Sequence, residues 1–452
     1  MNLIATDKQY VILGLGRTGI SVARYLAARG IRFAVVDTRE IPPGVEELKH
    51  ISSDARCFFG PFDQDARNVL LEAAMIVISP GLSRKLPEVQ AALKAGVKVV
   101  GDIALYLEEI DASVVAITGS NGKSTVTTLV GEVARSAGLN TVVAGNIGLP
   151  VLETLSEKPD LVVLELSSFQ LESLDQPTFT VACNLNVSED HMDRYDSLAE
   201  YCMAKQRIFR GARSVVYNLD DKLTQPPMVD GIARFGFGLN SYREEGELRY
   251  RVDDDGAALF CENDQLQTVA DVKMFGRHNL ANALAVYAIC DALDLDRGSV
   301  KKVLSEFPGL PHRCQWVGEH AGVTFINDSK ATNVGSSIAA IEGLREQFSR
   351  MALIAGGDGK GAAFDELSAV IQRHVARLVL IGRDGAQIAE GINGDVEVEF
   401  ASGMQDAVNK AFQGLGDRSV VLLSPACASF DMFSGFEDRG NQFARAVAEL
   451  SL

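Results

Sequence analysis

The sequence predicts an α/β protein built as three successive units, and three observations carry that expectation. Short apolar runs alternate with helical patterns along most of the chain, which implies parallel sheets flanked by helices. The 452 residues exceed the usual size of one domain. Two glycine-rich stretches, "GLGRTG" and "GSNGKST", stand where an apolar run gives way to a helical pattern.

In the first hundred residues "YVILGLG", "RFAVVD", "AMIVISPG" and "VKVVGD" read as strands. "TGISVARYLAARG" and "PEVQAALKAG" read as helices, each closed by a glycine. A second series begins at "SVVAITG" and continues through the strands "DLVVLELSS", "FTVACNLNV" and "RSVVYNLD". Its helices include "KSTVTTLVGEVARSAG" and "SLAEYCMAKQRIFRGA". Residues 246–262 read as a hairpin turning at "DDDGA", an antiparallel edge for this second sheet. A third series follows "FPGLPHR", with strands "GVTFIND", "MALIAGG", "ARLVLIG", "VEVEF" and "SVVLLSP". Boundaries near Gly101 and Pro308 give units of 1–101, 102–308 and 309–452.

Composition narrows the function classes. An apolar share of 47% with 23% charged residues describes a well-packed globular protein. No apolar run reaches the ~18 residues of a membrane span, and "MNLIATDKQY" lacks the regions of a signal peptide. Seven scattered cysteines without CxxC argue against a disulfide framework or a zinc site. These features point to the cytoplasm and away from membrane insertion. A net charge of −17 argues against nucleic acid as a partner.

In "GLGRTG", Gly14, Gly16 and Gly19 satisfy the dinucleotide fingerprint, and Asp37 ends the next strand near the expected ~20-residue offset. The backbone N–H groups of such a turn can receive a diphosphate. Alone, the motif suggests an NAD-dependent dehydrogenase, but any diphosphate with a ribose could use it, and a bare strand-to-helix turn looks the same. "GSNGKST" departs from the phosphate-loop pattern, because Ile117 occupies the place of its first glycine and Gly119 comes two residues later. The shortened loop, Gly119, Ser120, Asn121, Gly122, Lys123, Ser124 and Thr125, still offers N–H groups, a cation, and a hydroxyl from Ser124 or Thr125 for magnesium. In the same unit Glu165 ends the strand of "DLVVLELSS", where open α/β sheets meet their nucleotides.

Together with "ELSSFQLE", "NVSEDHMDRY", "GRHNLANALA", "PHRCQWV", "INDSKATN", "GGDGKG" and "SPACASFDMFSGFEDRG", this loop resembles the Mur ligases of peptidoglycan synthesis over nearly the whole chain. The resemblance implies a Rossmann-like N-terminal domain holding a UDP-sugar instead of NAD, a central mononucleotide-binding ATPase domain, and a Rossmann-like C-terminal domain. It further implies a monomeric, ATP- and Mg2+-dependent ligase that joins D-glutamate to UDP-N-acetylmuramoyl-L-alanine.

By that resemblance Lys123 is the phosphate-loop lysine, Ser124 and Glu165 hold one magnesium, and His191 a second. Lys205 matches a carbamylated lysine that serves the second metal. Asn279 and Asn282 match residues near the adenine. Asp328 and Lys330 match contacts to the ATP ribose and phosphates, and Arg313 one to the γ-phosphate. Thr332, Lys360, Ser429 and Phe436 surround the incoming amino acid, with Lys360 on its carboxylate. Arg17, Thr18, Asp37, Thr38 and Arg39 match uracil and diphosphate contacts; Ser79 and Gly81 lie at a neighbouring strand end, and Asn146 near the sugar-peptide. Phe430 departs from the family, which often has leucine there.

Overall fold

The computed structural model describes residues 9–188, 194–229, 231–239, 248–274, 276–345 and 347–450. The chain forms two compact units, one of residues 1–251, 260–264 and 284–300, the other of residues 252–259, 265–283 and 301–452. The first carries a five-stranded sheet and the body of a nine-stranded one; the second carries a six-stranded sheet.

The five-stranded sheet contains β1 (Tyr10–Leu13), β2 (Phe33–Asp37), β3 (Arg56–Phe59), β4 (Met75–Ile78) and β5 (Lys98–Val100), in the order β3-β2-β1-β4-β5. All its pairings are parallel. β2 is buried along its whole length, as expected of an apolar strand covered on both faces. The chain leaves β1 toward β2 on one side and meets β4 on the other, so a crevice opens at the carboxyl ends of β1 and β4.

The nine-stranded sheet contains β6 (Ser113–Thr118), β7 (Thr141–Gly145), β8 (Leu161–Glu165), β9 (Phe179–Asn184), β10 (Ala212–Asn218), β11 (Ala233–Gly238), β12 (Leu248–Val252), β13 (Ala258–Cys261) and β14 (Asp264–Thr268). Its order is β14-β13-β12-β11-β10-β9-β6-β8-β7. β6 lies between β9 and β8, which opens a second switch point above its end. The six-stranded sheet contains β15 (Gln315–His320), β16 (Val323–Asn327), β17 (Arg350–Gly356), β18 (Arg377–Ile381), β19 (Glu397–Phe400) and β20 (Ser419–Leu423), in the order β15-β16-β20-β17-β18-β19.

The sequence strands recur in these sheets, with two refinements. Within the expected hairpin, residues 248–262 do turn back, Gly256 taking φ +71° between β12 and β13, but β12 pairs in parallel with β11. The antiparallel edge therefore starts one strand farther out than the alternation suggests. Patterning also passes over β3, β7, β11, β14 and β15, of which β3 and β15 are exposed or half-buried throughout. These two lack the continuous apolar run that marks β2, β8 and β20. Among the described residues, no helix is long and apolar enough to cross a membrane.

Candidate active site

A cavity of about 600 Å³ lies over the carboxyl ends of β1 and β4. Arg17, Thr18, Asp37, Thr38, Arg39, Ser79, Gly81 and Asn146 all line it, so the eight residues expected at a UDP-sugar meet in one place. The glycine spacing has a steric cause. Gly14 takes φ +97°, and a Cβ there would come 2.9 Å from Ser79 Cβ. A Cβ on Gly19 would stand 2.0 Å from Gly14 O, so only glycine lets the helix Arg17–Ala28 close on the strand. A Cβ on Gly16 would meet nothing, leaving open backbone toward the cavity.

Asp37 is buried, yet its carboxylate is fully engaged by the protein. It accepts from Leu15 N–H at 2.7 Å, Arg39 N–H at 2.9 Å and the Arg39 guanidinium at 2.9 and 2.6 Å. Burial pushes this carboxyl up, but the Arg39 side chain and the two N–H groups outweigh it and hold the group below the usual range. The acceptor that a dinucleotide ribose would need is thus already committed. Asp37 anchors Arg39.

Below the cavity, Gly119 (φ +158°) and Gly122 (φ +82°) shape the loop that opens the helix Lys123–Ser136. Asn186 pins Asn121 from both sides, accepting its N–H at 2.8 Å and donating to its carbonyl at 3.0 Å. The Ser120 hydroxyl donates to Ser188 O at 3.0 Å. Lys123 Nζ donates to Gly119 O at 2.8 Å and Ser120 O at 2.9 Å. Lys205 Nζ, on a side chain 1% exposed, also donates to Gly119 O at 2.8 Å and lies 4.6 Å from the Tyr201 ring centroid. Two lysines therefore converge on one loop carbonyl.

Asn146 joins the two sites. It lines the cavity, and its Nδ2 donates to Glu165 Oε1 at 2.8 Å. The other carboxylate oxygen, Glu165 Oε2, is buried with no hydrogen-bond partner among the described residues. A buried anionic oxygen without a donor is costly unless a cation completes it, so the donor set fits a metal. Among the described residues no group of three or more His, Cys, Asp or Glu could hold one alone. That suits magnesium, which commonly completes its shell with phosphates and waters. Ser124 and Thr125 stand half-buried at the helix start, and His191 lies outside the described residues.

In the second unit, Asp328 follows β16 and is buried against Cys314 N–H (3.1 Å) and the Ser424 hydroxyl (2.8 Å). Lys330 N–H donates to His312 O, next to Arg313, and Lys330 Nζ lies 4.1 Å from the Phe436 ring centroid. Thr332 N–H returns to Lys330 O. Lys360 stands exposed at a loop tip with φ +53°, its N–H held by Asp358. That loop is joined to the segment before Ser429 by paired bonds between Asp358 and Ala428. Asn279 and Asn282 are buried and bonded to each other at 3.0 Å. Phe430 is 74% exposed, so the departure from the family pattern lies at the surface.

Burial pushes the Asp328 carboxyl up from 3.8 to about 7, against bonds from Ser424 and Cys314 and the pull of Arg313. Between those values the unfolded chain has released a proton that the folded chain keeps. The stability contribution is complete below pH 3.8 and is lost as pH rises through 7, at most roughly 4 kcal/mol. Asp328→Asn can still accept from Cys314 and donate to Ser424, so it should flatten this slope. The chain's one tryptophan, Trp316, lies in β15 and reports unfolding of this unit in urea at pH 4.5 and 7.5. An undiminished slope in the variant would assign the pH dependence elsewhere.

Sequence reasoning missed four participants. Asp102 and Gln170 line the cavity; burial pushes Asp102 up to about 6. Arg194 donates to Pro80 O, Gly81 O and Leu82 O on the cavity's rim. Arg439 is fully buried among the loops of the second unit. Nothing in spacing or composition marks these residues, although Gln170, Arg194 and Arg439 fall inside three of the resembling motifs.

Family comparisons agree along the chain. Residues 8–101 match the model of the "Mur ligase MurD-like, N-terminal domain", 117–290 the "Mur ligase middle domain", and 312–427 the "Mur ligase, glutamate ligase domain". The UDP-N-acetylmuramoylalanine–D-glutamate ligase of Teredinibacter turnerae is 56% identical, covering 99% of each chain. Its namesake from Pseudomonas aeruginosa is 47% identical over the full length of both. Among solved structures, the UDP-N-acetylmuramate-alanine ligase of Thermotoga maritima shares the fold with a TM-score of 0.57 at 19% identity, covering 97% of this chain and 99% of that one. A UDP-N-acetylmuramoyl-L-alanyl-D-glutamate–2,6-diaminopimelate ligase does so with 0.58 at 16% identity, covering 85% and 90%. The chain belongs to the Mur ligase family.

Proposed function

We propose that the protein is an ATP-dependent amide ligase that adds D-glutamate to UDP-N-acetylmuramoyl-L-alanine through an acyl phosphate. The observation that carries this reading is the bridge at Asn146, which lines the sugar-nucleotide cavity and bonds the glutamate beside the phosphate loop. A substrate anchored in the cavity can thus present its free carboxylate to the γ-phosphate of ATP on that loop. The carboxylate oxygen attacks phosphorus, ADP leaves, and the D-glutamate amine then displaces phosphate from the acyl carbon.

The obstacle is charge. Two unit negative charges ~4 Å apart repel by ~4 kcal/mol at an effective dielectric near 20. Lys123, already turned back over the loop, supplies one compensating cation. Ser124 and Glu165 would hold one magnesium and His191 and Lys205 a second, and when bound these would supply the remaining positive charge against the phosphates. Arg313, Asp328 and Lys330 serve the nucleotide's ribose and phosphates, with Asn279 and Asn282 near its base. Thr332, Lys360, Ser429 and Phe436 receive the amino acid.

Phosphate release with UDP-N-acetylmuramoyl-L-alanine, ATP and a panel of amino acids tests the assignment. D-Glutamate should support turnover, while L-glutamate, L-alanine and diaminopimelate should not. Equal turnover with diaminopimelate would sink it.

A further inference from the structure

We propose that Arg439 is a positioning residue for the incoming amino acid, tying together the loops that carry its binding residues and placing a buried positive charge against them. The proposal rests on the reading above that those loops receive D-glutamate.

Arg439 sits in the first turn of the helix Phe436–Ala448 and is 0% exposed. Its Nε donates to the Ser329 hydroxyl at 3.0 Å, and one Nη to Ser329 O at 2.9 Å. Its other Nη donates to Cys427 O at 3.0 Å and Ala428 O at 3.3 Å. Ser329 separates Asp328 from Lys330, and its hydroxyl donates onward to Phe436 O at 2.8 Å. Ala428 precedes Ser429 and is the residue bridged to Asp358, two positions before Lys360. The guanidinium thus bonds two segments directly, at Ser329 and at Cys427–Ala428, and the Ala428–Asp358 bridge links it to a third; Ser429 and Lys360, assigned to the amino acid, stand on the latter two, while Asp328 and Lys330, assigned to ATP, flank Ser329.

The stability of the fold does not explain this choice. Every hydrogen bond of the guanidinium goes to a neutral oxygen, and among the described residues no ion pair joins it. A buried cation without a carboxylate is unfavourable, and the first turn of a helix is the wrong end for a positive charge. Its acidic neighbour Asp438 bonds instead to Ser434 N–H and Gln442. Burial lowers the guanidinium to about 10, so it stays charged at neutral pH. Such a standing charge is compensated when a ligand brings carboxylates near it, and an amino acid with two carboxylates does so.

Steady-state kinetics of Arg439→Lys and Arg439→Met, with thermal melts of each, test the proposal. Lysine keeps the charge but cannot reach both loops with a planar fork. Its KM for D-glutamate should rise about tenfold, while KM for the UDP-sugar stays within about twofold. Methionine should lower kcat/KM for D-glutamate by about a hundredfold. An unchanged KM for D-glutamate in the folded lysine variant would overturn the proposal. So would a parallel rise of all three KM values, or failure of both variants to fold, either of which marks a purely structural role. Should one variant unfold, the other decides. If the wild-type enzyme does not use D-glutamate at all, it is the proposed function that fails, and the two failures are told apart.

Discussion

Lys205→Ala is expected to lower kcat by about a thousandfold or more while leaving the fold intact. Gly119 O, which Lys205 Nζ approaches at 2.8 Å, keeps a donor in Lys123 Nζ at the same distance, so the loop does not lose its tether. What disappears is the buried nitrogen itself. We propose that it is carbamylated in the working enzyme: the neutral amine adds to carbon dioxide, forming an N–C bond and releasing one proton to solvent. Removal from water favours the neutral amine of a lysine, and this side chain is 1% exposed. The product keeps an N–H for Gly119 O and presents two anionic oxygens where an ammonium would repel a divalent cation. Added formate or acetate should partly restore activity by occupying the vacated space and supplying oxygens. Full activity of the alanine variant would refute the role.

The sheets were legible because their strands are apolar runs punctuated by glycine. β2, β8, β16 and β20 are buried on every residue, and no alternation was needed to see them. β3 and β15 were not legible, since exposed strands carry no such run. The cavity was legible for a steric reason: Gly14 and Gly19 are imposed by contacts of 2.9 and 2.0 Å that any side chain would make. The ligand was not legible from those glycines, because their backbone serves any diphosphate. The family matches along the chain separate the readings, and three dimensions add that the Asp37 carboxylate is already bonded to Leu15 and Arg39. Arg194 and Arg439 escaped for the opposite reason. Both act through backbone carbonyls, Arg194 at Pro80 and Arg439 at Ser329 and at the nearer Cys427 and Ala428, and a carbonyl leaves no trace in residue identity.

Glu165→Gln should separate stability from function in opposite directions. In the wild type, Oε1 is satisfied by Asn146 Nδ2, while Oε2 is buried without a partner among the described residues. Glutamine keeps the shape and can keep the Asn146 bond through its own oxygen. The orphaned atom becomes a neutral amide nitrogen, and an unpaired buried dipole costs less than an unpaired buried charge. The variant should therefore be as stable as the wild type in the absence of ligands, or more stable by about 1 kcal/mol. Activity should nevertheless fall by about a hundredfold or more, because an amide nitrogen turned toward a cation repels it where the carboxylate attracted it. Calorimetric titration with magnesium and a non-hydrolysable ATP analogue should show the nucleotide binding with its magnesium dependence weakened. A variant that loses more than about 2 kcal/mol of stability would show that Oε2 has a protein partner in the working fold. One that keeps wild-type turnover and wild-type magnesium dependence would remove Glu165 from the metal site altogether.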